Sequence, residues 1–115
     1  MLKKPDIKHD PLSQLLRENK IADFNYRKAQ GDKCDLTSTD YRGLDLRGLD
    51  AAGLDFSNSY FRQADIRGVD FSHSKLEGAS INGAKVSGTY FPKELSAAEI
   101  TLSLLHGTRM RYSSQ

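Results

Sequence analysis

Between Gly43 and Phe56 the chain reads GLDLRGLDAAGLDF, a leucine–aspartate pair recurring every five residues behind a glycine. No other feature of these 115 residues constrains folding as tightly. A period of five fits neither the 3.6-residue turn of an α-helix nor the two-residue alternation of a flat strand. Followed both ways, the period runs through twelve consecutive pentads from Cys34 to Lys93. The central positions are Leu36, Tyr41, Leu46, Ala51, Phe56, Phe61, Ile66, Phe71, Leu76, Ile81, Val86 and Phe91, large and apolar or aromatic except Ala51. Two residues earlier stand Cys34, Thr39, Leu44, Leu49, Leu54, Ser59, Ala64, Val69, Ser74, Ala79, Ala84 and Thr89, small or apolar and never charged.

In extended backbone, residues i and i+2 share a side and the residue between them points away. Each pentad therefore has two inward positions and a polar residue outside. An odd period would send alternate repeats to opposite faces of a straight strand, so the chain must turn within every repeat. The position two after the centre supplies the turn: it is Gly in seven pentads and Asn at 58, residues that accept positive φ. Glycine every fifth residue would cost a helix ~1 kcal/mol each against alanine. The pattern predicts a coil of very short strands and corners around one shared interior.

Pentads such as ADIRG (64–68), VDFSH (69–73) and CDLTS (34–38) resemble the Ala-(Asp/Asn)-Leu-x-x consensus of the pentapeptide repeat proteins. The resemblance implies a mainly β fold, a right-handed quadrilateral β-helix with four pentads per coil. Three coils at strand spacing would rise roughly 14 Å, with residues twenty apart on one face. Bulky Leu44, Leu49 and Leu54 stand where alanine is usual, and Ala51 takes a central position. The exchange at Leu49 and Ala51 reads as a local volume compensation.

A solenoid needs covers for its apolar ends. Asp10–Pro11 is an N-cap and first-turn pair, which predicts short helices over 11–18 and 21–30 with Gly31 as stop. FNYRKAQG (24–31) resembles the helical cap that precedes the coils in the family. SAAE at 96–99 reads as a capping box opening a helix to about His106, with Gly107 behind it. The expected organisation is a flexible tail over 1–9, a helical cap over 10–33, the β-helix over 34–93 and a C-terminal helix and tail over 94–115. TRMRY (108–112) alternates as a strand does.

The chain carries 17 Lys/Arg against 15 Asp/Glu, a net charge of +2. Residues 1–33, with Lys3, Lys4 and Lys8, hold eight basic against five acidic groups, and the repeats seven against eight. Mixed signs of this kind favour solubility and make nucleic acid a poor partner. No apolar run approaches the ~20 residues of a membrane span, and the charged start lacks the apolar core of a secretory signal. The cytoplasm is the expected location, without a membrane partner. Cys34, the single cysteine, reads as a small inward residue. His9, His73 and His106 have no neighbours at ligand spacing, so no metal site, catalytic residue or cofactor is expected.

Under the four-pentad rule, Asp45 stacks on Asp65, Arg47 on Arg67, Arg42 on Arg62 and Asn82, and Asp40 under Tyr60 and Ser80. Neighbouring Asp and Arg columns would neutralise one another; alternatively, Arg42, Arg47, Tyr60, Arg62 and Arg67 form a docking strip of residue types enriched at hot spots. On the last helix Ile100, Leu102, Leu104 and Leu105 spread beyond one narrow stripe and are candidates for self-association. The leading expectation is a non-catalytic interaction scaffold that binds a protein partner or pairs as a homodimer. Two alternatives are weighed: modulation of a type II topoisomerase by DNA mimicry, as in some long relatives, and direct nucleic-acid binding through the basic N-terminal part. Mimicry of even one duplex turn, about 34 Å, would need more than twice three coils and more negative charge.

Overall fold

Asp40 pairs in parallel with Tyr60, and Tyr60 with Ser80, so the chain returns to the same ladder after twenty residues. The same step joins Asp45 to Asp65 and Asp65 to Lys85, Asp55 to Lys75, and Asp70 to Tyr90. The computed structural model that shows this describes Pro5 and residues 10–113. Backbone hydrogen bonds accompany each bridge: the Tyr41 N–H donates to the Tyr60 carbonyl at 2.7 Å, and the Tyr60 N–H to that of Thr39 at 3.0 Å. Four pentads therefore make one layer, as the stacking rule expects.

The expected short strands are absent among the described residues; the pairing is by isolated bridges. The reason lies in the corner spacing. Each central residue from Tyr41 to Val86 accepts a hydrogen bond from the N–H three residues on, as Leu46 does from Leu49 at 3.1 Å, so most of a pentad belongs to a turn. Gly48 stands at the third position of that turn with φ 85°, the left-handed value a type II turn requires there. Ser38, Asn58 and Gln63 adopt positive φ at equivalent corners, a role the sequence reading assigned to Asn58 but not to Ser38 or Gln63. His73 closes its corner without positive φ, and its own carbonyl, rather than its predecessor's, accepts from the layer below, at the Gly53 N–H.

The central side chains fill the interior. Tyr41, Leu46, Phe56, Phe61, Ile66, Phe71, Leu76 and Ile81 are at most 1 % exposed. Tyr41 stacks on Phe61 with centroids 5.1 Å apart, and Phe56 meets Phe61 and Phe71 edge-on at 5.3 and 5.9 Å. Such pairs add about 0.5–1.5 kcal/mol beyond area burial. The Tyr41 hydroxyl donates to the Leu36 carbonyl at 2.7 Å, which satisfies a buried polar tip. Hydroxyls at the small inward position reach the layer beneath: Ser59 to the Leu36 carbonyl, Ser74 to that of Ala51 and Thr89 to that of Ile66. Cys34, expected to be buried, is half-buried, because it opens the first pentad, at the end of the stack.

Among the described residues three helices occupy the ends: α1 (Pro11–Arg17), α2 (Ile21–Ala29) and α3 (Ala97–His106). Asp10 Oδ1 accepts from the Leu12 and Ser13 N–H groups, capping α1. Leu12, Leu16 and Phe24 join the core of the repeats. Asp10 and Arg17 meet the edge of the first layer: Asp10 Oδ2 accepts from the Asp35 N–H, and Arg17 Nη2 donates to the Asp40 carbonyl. Ser96 Oγ caps α3 by accepting from the Glu99 N–H at 3.1 Å. The expected capping box is only half formed, since the Glu99 carboxylate pairs with Arg111 at 2.8 Å. TRMRY forms no strand; Met110 is buried and exchanges backbone hydrogen bonds with Gly78 and Ala79. Apart from Pro5, the tail expected over 1–9, with its lysines and His9, lies outside the described residues.

Candidate interaction surfaces

Every outward aspartate of the repeats has a structural task. In Asp35, Asp40, Asp45, Asp50, Asp55, Asp65 and Asp70, Oδ1 accepts from the backbone N–H two residues on, at 2.8–3.3 Å. The carboxylate thus supplies an acceptor to a corner N–H that the next layer does not reach, a local Asx turn. Sequence reasoning took these residues as charges alone. Their signal was present in the fixed two-residue offset between each Asp and its corner.

The ladder Asp45–Asp65–Lys85 neutralises its own arginines. Arg47 grips Asp45 through Nε and Nη2 at 2.9 and 2.8 Å, and Arg67 grips Asp65 at 2.9 and 2.7 Å. Arg47 Nε also lies 3.4 Å from the Asp65 carboxylate. Arg67's hydrogen bonds hold the Asp65 carboxyl at about 2, and Arg47's hydrogen bonds hold that of Asp45 below the usual range. Exposed pairs of this sort contribute little each, but they leave these two cations already matched.

The Asp40–Tyr60–Ser80 ladder is different. Arg62 lies over the Tyr60 ring, 3.9 Å from its centroid, and donates to Ser80 Oγ at 3.2 Å and to the Gly107 carbonyl at 3.3 Å. Arg109 approaches the same ring at 5.2 Å and donates to the Tyr60 hydroxyl at 3.3 Å. Arg42 is exposed. The structure thus separates the five residues of the candidate strip: Arg42, Tyr60 and Arg62 share one ladder and its corner, while Arg47 and Arg67 stand on the next. It also adds Arg17 and Arg109, which lie outside the repeats and carry no periodic signal.

At the C-terminal end, α3 and the tail cover two sides of the last layer. The Leu76 N–H donates to the Tyr112 hydroxyl, the Ile81 N–H to Ser103 Oγ, and the Gly78 and Gly83 N–H groups to the Met110 and Leu104 carbonyls. Of the four candidate self-association residues, Ile100 and Leu104 pack against the core. Leu102 and Leu105 remain 40 and 65 % exposed.

The geometry offers little for catalysis. Beside Cys34 a hollow of about 460 Å³ is lined by Asp32, Lys33, Asp35, Leu36, Thr37, Gly53, Leu54 and Asp55. Burial, with Asp10 and Asp35 nearby, pushes the Cys34 thiol up, the direction opposite to an activated nucleophile. His73 and His106 are exposed. Among the described residues no group of three His, Cys, Asp or Glu could hold a metal ion, and no helix is long and apolar enough to cross a membrane.

Neither a curated protein nor a solved structure matches the chain at a significant level. The family profile described as Pentapeptide repeats does match, in 8 copies over residues 32–68 and 55–91. The match spans more than half of the sequence and falls on the segment whose residues bridge at twenty-residue steps. The chain belongs to the pentapeptide repeat family, a family of generally non-catalytic repeat proteins.

Proposed function

We propose that this protein is a non-catalytic interaction scaffold, a right-handed quadrilateral β-helix that pairs with a second copy through its C-terminal end. The twenty-residue bridges suit four short sides per coil. One observation carries the pairing: the described residues cover the last layer on two sides only. On the other two, the N–H groups of Val86, Gly88 and Phe91 have no acceptor among the described residues. Their side of the stack also carries half-buried Val86 and Phe91 and the 66 % exposed Tyr90. Exposed Leu102 and Leu105 of α3 add apolar surface at the same end.

A rim of unpaired donors and apolar side chains invites association. A second copy turned end to end would bring the same rim with its own carbonyls, as an isologous interface requires. Sedimentation equilibrium tests the reading. The wild type is expected at twice the monomer mass, and Leu102→Glu/Leu105→Glu at the monomer mass with an unchanged circular dichroism spectrum. A wild type that stays monomeric at high micromolar concentration overturns it.

A further inference from the structure

Seven of the described arginines fall into two groups. Arg27, Arg47, Arg67 and Arg111 each lie within ion-pair distance of a carboxylate, at Asp32, Asp45 or Asp65, Asp65 and Glu99. Arg17, Arg42 and Arg62 have no such partner among the described residues. All three belong to one ladder: Arg17 donates to the Asp40 carbonyl, Arg42 follows Asp40 by two residues, and Arg62 lies over Tyr60. Arg109 reaches the same ladder from the tail, donating to the Tyr60 hydroxyl, and stands outside this division.

The sequence explains how this ladder became basic. Its outward positions read Asp40, Tyr60, Ser80, so two of three have lost the carboxylate of the repeat consensus. The remaining one, Asp40, spends Oδ1 on the Arg42 N–H. The ladders on either side read Asp35, Asp55, Lys75 and Asp45, Asp65, Lys85. Ser80 is buried against Gly107, so the result at the surface is a narrow basic stripe, one layer spacing or roughly 5 Å long, bordered by carboxylates.

We infer that the Asp40–Tyr60 part of this ladder, with Arg42 and Arg62 at its centre and Arg17 at its end, docks an acidic extended segment of another protein. Guanidinium groups pair with carboxylates in a two-point geometry that lysine cannot reproduce. The Tyr60 ring is held rigidly beside them by the Arg62 guanidinium, and Tyr and Arg dominate such contacts. The borders choose the partner class. A single extended chain touches the central ladder alone. A nucleic-acid duplex is wider and would meet Asp45, Asp55 and Asp65, which repel phosphate. The inference is independent of the C-terminal pairing, because these residues stand on the side of the stack.

Fluorescence anisotropy with a labelled twelve-residue polyglutamate peptide tests it on the full chain. Binding that weakens as salt rises is expected. Arg42→Gln/Arg62→Gln is expected to weaken it roughly tenfold or more, and Arg47→Gln/Arg67→Gln to change it less than about twofold. Because Arg62 also holds Tyr60 and the Gly107 carbonyl, Arg42→Gln alone serves as the variant at an exposed side chain, with an expected loss of roughly threefold. Absence of peptide binding, equal loss in the two double variants, or tighter binding of a DNA duplex than of the peptide would each overturn the assignment.

Discussion

The side chain of Asn25 grips the backbone around Asp50 as a neighbouring strand would. Its Nδ2 donates to the Gly48 carbonyl and its Oδ1 accepts from the Asp50 N–H, both at 2.9 Å. Lys28 Nζ adds an ion pair to the Asp50 carboxylate at 3.0 Å. An open repeat edge exposes donors and acceptors two residues apart, and one carboxamide matches both.

Asn25→Ala should therefore cost about 1–2 kcal/mol in urea unfolding, and Asn25→Asp a similar amount, since aspartate cannot donate to Gly48. Amide exchange should accelerate at Asp50 while Asp70 is unaffected. Equal acceleration at both would mean that α2 does not seal the first layer.

The corner role of the aspartates separates from their charge by substitution. Asp70 Oδ1 accepts from the Ser72 N–H at 2.8 Å. Asp70→Asn keeps an acceptor and should change stability by less than about 0.5 kcal/mol, whereas Asp70→Ala should cost about 1 kcal/mol. Thermal melts at low and high salt check this. A cost that vanishes in high salt for both variants would assign the effect to charge.

Gly78 and Gly53 both turn corners with positive φ, at 83° and 76°. A Cβ at Gly53 meets nothing within 4 Å, while one at Gly78 lands on Asn58 Oδ1. Gly53→Ala should cost about 1–2 kcal/mol from backbone conformation, and Gly78→Ala more. Asn58→Gly in the Gly78→Ala background should recover the excess, a coupling read from a double-mutant cycle.

Asp65 provides a pH signature. Arg67, with smaller help from Arg47, holds its carboxyl at about 2 in the fold, against about 3.9 for a free aspartate. The folded state binds that proton less readily, so the associated stability is present above about pH 4 and lost as pH falls through about 2. Asp65→Asn should lower stability at pH 7 and flatten its decline between pH 4 and 2. Unfolding curves that stay parallel over that range would contradict the pairing.

Much of this architecture was legible because the interior is written at every fifth residue. The run from Leu36 to Ile81 could be assigned inward without coordinates, and Asp10–Pro11 and Ser96 marked two helix starts. What escaped is what two distant segments decide together. Whether an arginine is matched depends on its ladder: Arg47 meets Asp45 and Asp65, while Arg42 belongs with Tyr60 and Ser80. Arg17 and Arg109 reach the stack from outside the repeats, where no period relates them to it. Glu99 left its capping box because the returning tail put Arg111 beside it.

The central claim is that residues twenty apart lie one above the other. Scalar couplings across hydrogen bonds in an isotope-labelled sample measure this directly. The account predicts couplings from the Tyr41, Leu46 and Phe56 amides to the Tyr60, Asp65 and Lys75 carbonyls. Couplings from these amides to carbonyls four residues back, or to carbonyls at any spacing other than nineteen residues ahead, would contradict it.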